Sequence, residues 1–168
     1  MEKVMKKNTF ITLLFSSALF LSSFANAHDY KAGDLQIDHP WSKAVPPNSS
    51  VAAAFFNITN HGGENDVLIS AESPIAGKVE LHAHIHEDGM MKMREVKNIE
   101  IPANDGTALK PGANHIMFFN LTKVPKLGDR FPLTLHFKNA GKITIEVAVE
   151  KATYQMEMKP EKTQEQHH

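Results

Sequence analysis

An all-β sandwich is the fold this sequence predicts, and three observations predict it. Apolar residues recur at alternate positions in short runs, Gly, Pro and Asn separate those runs, and no long segment sustains a helical period. With 168 residues and no internal repeat, a single domain of eight or nine short strands packed in two layers is expected.

In chain order, the first segment precedes the fold. Lys3, Lys6 and Lys7 stand ahead of an apolar stretch over residues 10–24, and Ala25-Asn26-Ala27 follows, the pattern of a secretory signal cleaved after Ala27. Serines inside the apolar stretch argue against a permanent membrane span, so residues 1–27 read as a cleaved signal peptide and the exported chain starts at His28. Strands are then expected over residues 35–43, 50–60, 66–71, 78–86, 90–96, 99–101 and 115–121. Turns come from Pro46-Pro47-Asn48, Asn60-His61-Gly62-Gly63, Asp88-Gly89, Asn104-Asp105-Gly106 and Pro111-Gly112.

Near the end, Leu133, Leu135 and Phe137 alternate with polar neighbours, as do Ile143, Ile145, Val147 and Val149, which describes strands with one buried and one wet face. Between them Asn139-Ala140-Gly141 tolerates the positive dihedrals of a tight turn, so the pair reads as a hairpin. After Lys151 the pattern lapses. Residues 152–168 carry Met156, Met158, Pro160, His167 and His168 but little to pack, and read as a flexible tail beyond a sandwich domain over residues 28–151.

Composition narrows the chemistry. Eighteen Lys and Arg against nineteen Asp and Glu leave a formal charge of -1, which excludes nucleic acid binding driven by charge. Cysteine is absent, so disulfides, zinc–thiolate sites and cysteine-held iron–sulfur clusters are excluded, and any metal must be held by His, Met or carboxylate. Histidine (10) and methionine (8) are both plentiful.

These residues concentrate between positions 82 and 117. On one strand, period-two geometry puts His82, His84 and His86 on one face and Val79, Leu81, Ala83 and Ile85 on the other. His115 and Met117 share a face further on, and Met91 and Met93 share one in between. Gly89 lets the first and middle segments fold back as a hairpin, which is expected to bring His82 near Met93. A thioether is a soft donor that suits Cu(I) and contributes little to zinc, magnesium or calcium sites, so mixed Met and His without Cys points to copper. Taken singly, each Met is better explained by packing, Met117 as core filling and Met90, Met91 and Met93 as adaptable apolar side chains. His39, His61 and His136 are read as solvated or hydrogen-bonded, without function.

Spacing adds what single residues do not. His82, Met93, His115 and Met117 are separated by ten, twenty-one and one residues. The arrangement resembles the metal motif of the PCuAC family of periplasmic copper chaperones, a His, ten residues, a Met, twenty-one residues, then His-x-Met. Similarity extends to Pro40-Trp41, Val79-Glu80-Leu81-His82, Met91-Lys92-Met93-Arg94-Glu95, Leu109-Lys110-Pro111-Gly112 and His115-Ile116-Met117. The resemblance implies a cupredoxin-like β-sandwich in the periplasm, a monomer rather than an enzyme, which binds Cu(I) at an exposed site. It implies His82, Met93, His115 and Met117 as the ligands. The usual acceptor is the apo CuA domain of cytochrome c oxidase subunit II, or another periplasmic copper acceptor.

Where the family often has Met after the first His, this chain reads Ala83-His84-Ile85-His86, and the extra imidazoles favour Cu(II) or Zn(II) alongside Cu(I). Met156, Met158, His167 and His168 resemble the extensions thought to hold a second ion in some members. Two other readings remain: a copper oxygenase using His28 as an N-terminal amine–imidazole chelate, and a metal-free immunoglobulin-like binding module.

Overall fold

The computed structural model describes residues 29–154 apart from residue 88. The expected signal peptide, His28, Asp88 and the tail donors Met156, Met158, His167 and His168 lie outside the described residues.

Eleven strands make up the domain: β1 (Tyr30–Ala32), β2 (Leu35–Lys43), β3 (Val51–Asn60), β4 (Asp66–Glu72), β5 (Ala76–Glu87), β6 (Met90–Glu95), β7 (Ile99–Ile101), β8 (Gly106–Leu109), β9 (His115–Leu121), β10 (Arg130–Phe137) and β11 (Lys142–Glu150). No helix occurs among the described residues. The strands hydrogen-bond in the order β6-β5-β9-β3-β2-β11-β10-β4-β7, with β1 added to β2 and β8 to β3. All pairs are antiparallel except β2–β11. The sheet folds over on itself: Phe118 of β9 and Phe131 of β10, several places apart in that order, meet edge to face at 5.4 Å. Their common core includes Ile37, Phe56, Ile58, Leu68, Ile116, Leu133, Leu135, Ile145 and Val147.

The expected all-β sandwich is therefore the observed class, and nine of the strands fall where alternation places them. β1 and β8 are additional. β1 has three residues and β8 four, too few for alternation to show against the turns beside them. β8 depends on Gly106, because a Cβ there would stand 2.2 Å from the carbonyl oxygen of Ile58 on β3. The β10–β11 hairpin turns through Gly141 at φ +79°, a left-handed conformation that glycine adopts without strain.

One irregularity positions the rest. β2 and β3 pair Asp38 with Asn57 and then Trp41 with Phe55, so β2 carries one extra residue, at a bulge where His39 takes φ +52°. An inserted residue flips the side chains that follow it to the other face. Trp41 thus leaves the face of Leu35 and Ile37 and packs outside the main core, 4.7 Å from the ring of Phe55 and 4.8 Å from that of Tyr154.

Candidate metal centre

On the same outer face, β9 lies between β3 and β5, and β6 forms the edge of the sheet beyond β5. Register sets the neighbours. His115 is opposite His82, Met117 is opposite Ala53 on one side and Glu80 on the other, and His84 and His86 are opposite Met93 and Met91. The hairpin expected to bring His82 near Met93 does form, with the two as diagonal neighbours: His82 faces Glu95, Met93 faces His84, and the Met93 sulfur reaches over β5 to His115.

His115 is 5% exposed, packed between the rings of Phe55 at 6.2 Å, His82 at 5.8 Å and His84 at 5.7 Å. Its Nδ1–H donates to the Ala113 carbonyl at 2.8 Å, which leaves Nε2 with its lone pair exposed in the neutral ring. Burial pushes the His115 pKa below its ordinary value, the nearby His82 and His84 add to this, and the Ala113 carbonyl opposes it. The Nε2 lone pair lies 3.1 Å from the Met93 sulfur, which has no proton to offer. Two donor atoms therefore face one another with nothing between them to bond.

His82 is 8% exposed. Its Nε2–H donates to a carboxylate oxygen of Glu80 at 2.7 Å, and its Nδ1 is buried without a hydrogen-bond partner. Glu80 in turn pairs with Lys78, and the hydrogen bond from His82, then that from Lys78, holds its carboxyl below the usual carboxylate range. A carboxylate on one ring nitrogen fixes the tautomer and presents the other nitrogen as a lone pair, the arrangement found behind histidine metal ligands. Met117 is half-buried on the strand of His115.

Among the described residues no three His, Asp or Glu side chains converge on a common point. The buried orphan nitrogen, the opposed Nε2 and sulfur, and neighbouring thioethers fit a soft monovalent ion better than a hard divalent one. His84 joins this cluster through its contact with His115, whereas His86 sits further out beside Met91. His39 is exposed, His61 bonds Gln36 at 3.3 Å and His136 bonds Glu72 at 3.1 Å, as solvated and hydrogen-bonded histidines should. Sequence reasoning passed over Glu80, Phe55 and Trp41. Glu80 had a signal, since a carboxylate two residues before His82 shares its strand face.

The family profile described as LpqE-like matches residues 35–149. Lxx21020 of Leifsonia xyli subsp. xyli, whose name calls it a lipoprotein, is 29% identical over 137 residues, which span 81% of this chain and 81% of that protein. Among solved structures, the copper-bound PCuAC domain of PmoF2 is 27% identical with a TM-score of 0.64, covering 74% of this chain and 98% of that domain. The solution structure of CuI-DR1885 from Deinococcus radiodurans is 26% identical with a TM-score of 0.59, over 77% of this chain and 85% of that one.

Proposed function

The chain belongs to the LpqE-like family, the family of the PCuAC domains, and on that premise we propose that it is a copper chaperone which holds Cu(I) with His82, Met93, His115 and Met117. The observation that carries this reading is the 3.1 Å approach of the His115 Nε2 lone pair to the Met93 sulfur, which only an electron-pair acceptor between or beside them makes favourable. The buried Nδ1 of His82 supplies a further nitrogen, and Met117 a further sulfur from the strand of His115.

All four donors are neutral when they bind. An incoming partner then replaces them one at a time, without separating opposed charges, and Cu(I) leaves by ligand exchange with no change of oxidation state. Glu80 acts as a positioning residue: its bond to Nε2 keeps the His82 proton there and leaves the buried Nδ1 as the lone-pair nitrogen. The acceptor we favour is the apo CuA domain of cytochrome c oxidase subunit II, and the compartment is the periplasm. An exported chain agrees with the lipoprotein name of Lxx21020, although these 168 residues hold no cysteine to carry a thioether-linked lipid. His84 beside His115, together with the tail donors, is proposed to add Cu(II) affinity.

Competition of the protein with a Cu(I) chelator tests the site. Met117→Leu keeps volume and removes sulfur, so Cu(I) affinity must fall while the apo fold stays intact. Equal affinities of variant and wild type would remove Met117 from the site. Incubating copper-loaded protein with an apo CuA domain whose cysteines are reduced tests delivery; a domain that stays unmetallated would refute that acceptor.

A further inference from the structure

The outer end of the β5–β6 hairpin carries another soft pair. His86 stands opposite Met91, and its Nδ1 lies 3.5 Å from the Met91 sulfur. Both are exposed, Met91 by 60%, so core packing does not explain a methionine here. Polar partners are drawn to the opposite face of the hairpin, where Glu87 pairs with Arg94 at 2.9 Å and Lys92 at 3.3 Å. The donor face therefore runs as a ladder: His86 with Met91 in solvent, His84 with Met93 half-exposed, then His82 with His115 buried. Successive rungs are about 7 Å apart along the strands.

We propose that His86 and Met91 form a second, outer Cu(I) site, the station at which copper enters and leaves the chaperone. The proposal rests on the reading of His82, Met93, His115 and Met117 as the inner site. One imidazole nitrogen and one thioether give a two-donor neutral site, enough to capture a soft ion and too few to retain it against the richer inner set. Inward transfer exchanges the bond from copper to the Met91 sulfur for one to the Met93 sulfur, and the bond to the His86 nitrogen for one to the His115 Nε2. The ion stays Cu(I) throughout, and no proton or electron moves.

The test is an anaerobic titration of the whole protein with Cu(I), read by chelator competition and by the methionine methyl signals in NMR. Wild type is expected to take up one tight equivalent and a weaker second, the second moving the Met91 methyl and His86 ring signals. In Met91→Leu, and likewise in His86→Gln, the second equivalent weakens by at least about tenfold and the first loads more slowly at unchanged affinity. A second equivalent of wild-type strength in Met91→Leu overturns the outer site, as does a Met91 signal that stays still at two equivalents, the result expected if tail donors hold the second ion. Failure of wild type to bind a first equivalent overturns the inner site instead, so the two outcomes are distinct.

Discussion

In the β10–β11 hairpin, Leu133, Leu135, Ile145 and Val147 are fully buried, whereas the alternate positions of the β5–β6 hairpin that carry His82, Met93 and Met91 range from 8% through 48% to 60% exposed. Both hairpins obey the same period of two. One spends its repeated face on hydrocarbon contact and the other leaves it open as a row of nitrogen and sulfur donors. The difference teaches that alternation assigns faces without assigning their purpose. It also separates two features in space: the apolar side chains of β10–β11 belong to the core, while the proposed metal ligands and the His86–Met91 pair lie toward the β6 edge of the sheet.

The largest expected effect breaks the first half of that contrast. Leu135→Ala removes a fully buried side chain and should lower stability by about 2–5 kcal/mol in chemical denaturation, with Cu(I) affinity of the folded protein unchanged. Met93→Leu should do the converse: stability shifts by less than about 1.5 kcal/mol, and Cu(I) affinity falls at least about tenfold in chelator competition. A Met93→Leu protein that unfolds easily yet binds copper normally would erase the separation. Glu80→Gln sharpens it, since the amide keeps shape but loses the anionic partner of His82. Cu(I) affinity should drop about tenfold, and the ring-nitrogen NMR signals of His82 should show mixed tautomers.

The smallest effect is with pH. Burial depresses the His115 pKa below its ordinary 6.5, so the unfolded chain binds that proton more readily than the folded one. The stability tied to neutral His115 is complete above about pH 6.5 and is lost as pH falls through the folded value. Apo thermal midpoints should decline from about pH 7.5 to about pH 5.5, and the gap between copper-loaded and apo midpoints should narrow over the same range as protons compete for the imidazoles. A gap independent of pH would remove the histidines from the ligand set.

Much of this was legible in the sequence, for physical reasons. Ile143, Ile145, Val147 and Val149 declare a strand because hydrocarbon must be buried every second residue, and the proposed ligands His82, Met93, His115 and Met117 were legible only through the resemblance of their spacing to the PCuAC motif. Register was not legible: that Met93 stands opposite His84 and His82 opposite Glu95 depends on how tightly the hairpin closes. Nor was the bulge at His39, a single inserted residue invisible to alternation, which moves Trp41 onto the outer face beside Phe55 and Tyr154.

The edge position of β6 has a colloidal consequence. Among the described residues β6 pairs only with β5, so Met90-Met91-Lys92-Met93 presents an outer edge of the kind on which a second copy can add a strand. Lys92 and Arg94, alternating with the thioethers and anchored to Glu87, put two cations where an incoming identical strand would bring its own. Like charges set against each other discourage that pairing, so the residues flanking the donors act as gatekeepers that let a methionine-rich edge remain bare in a concentrated compartment.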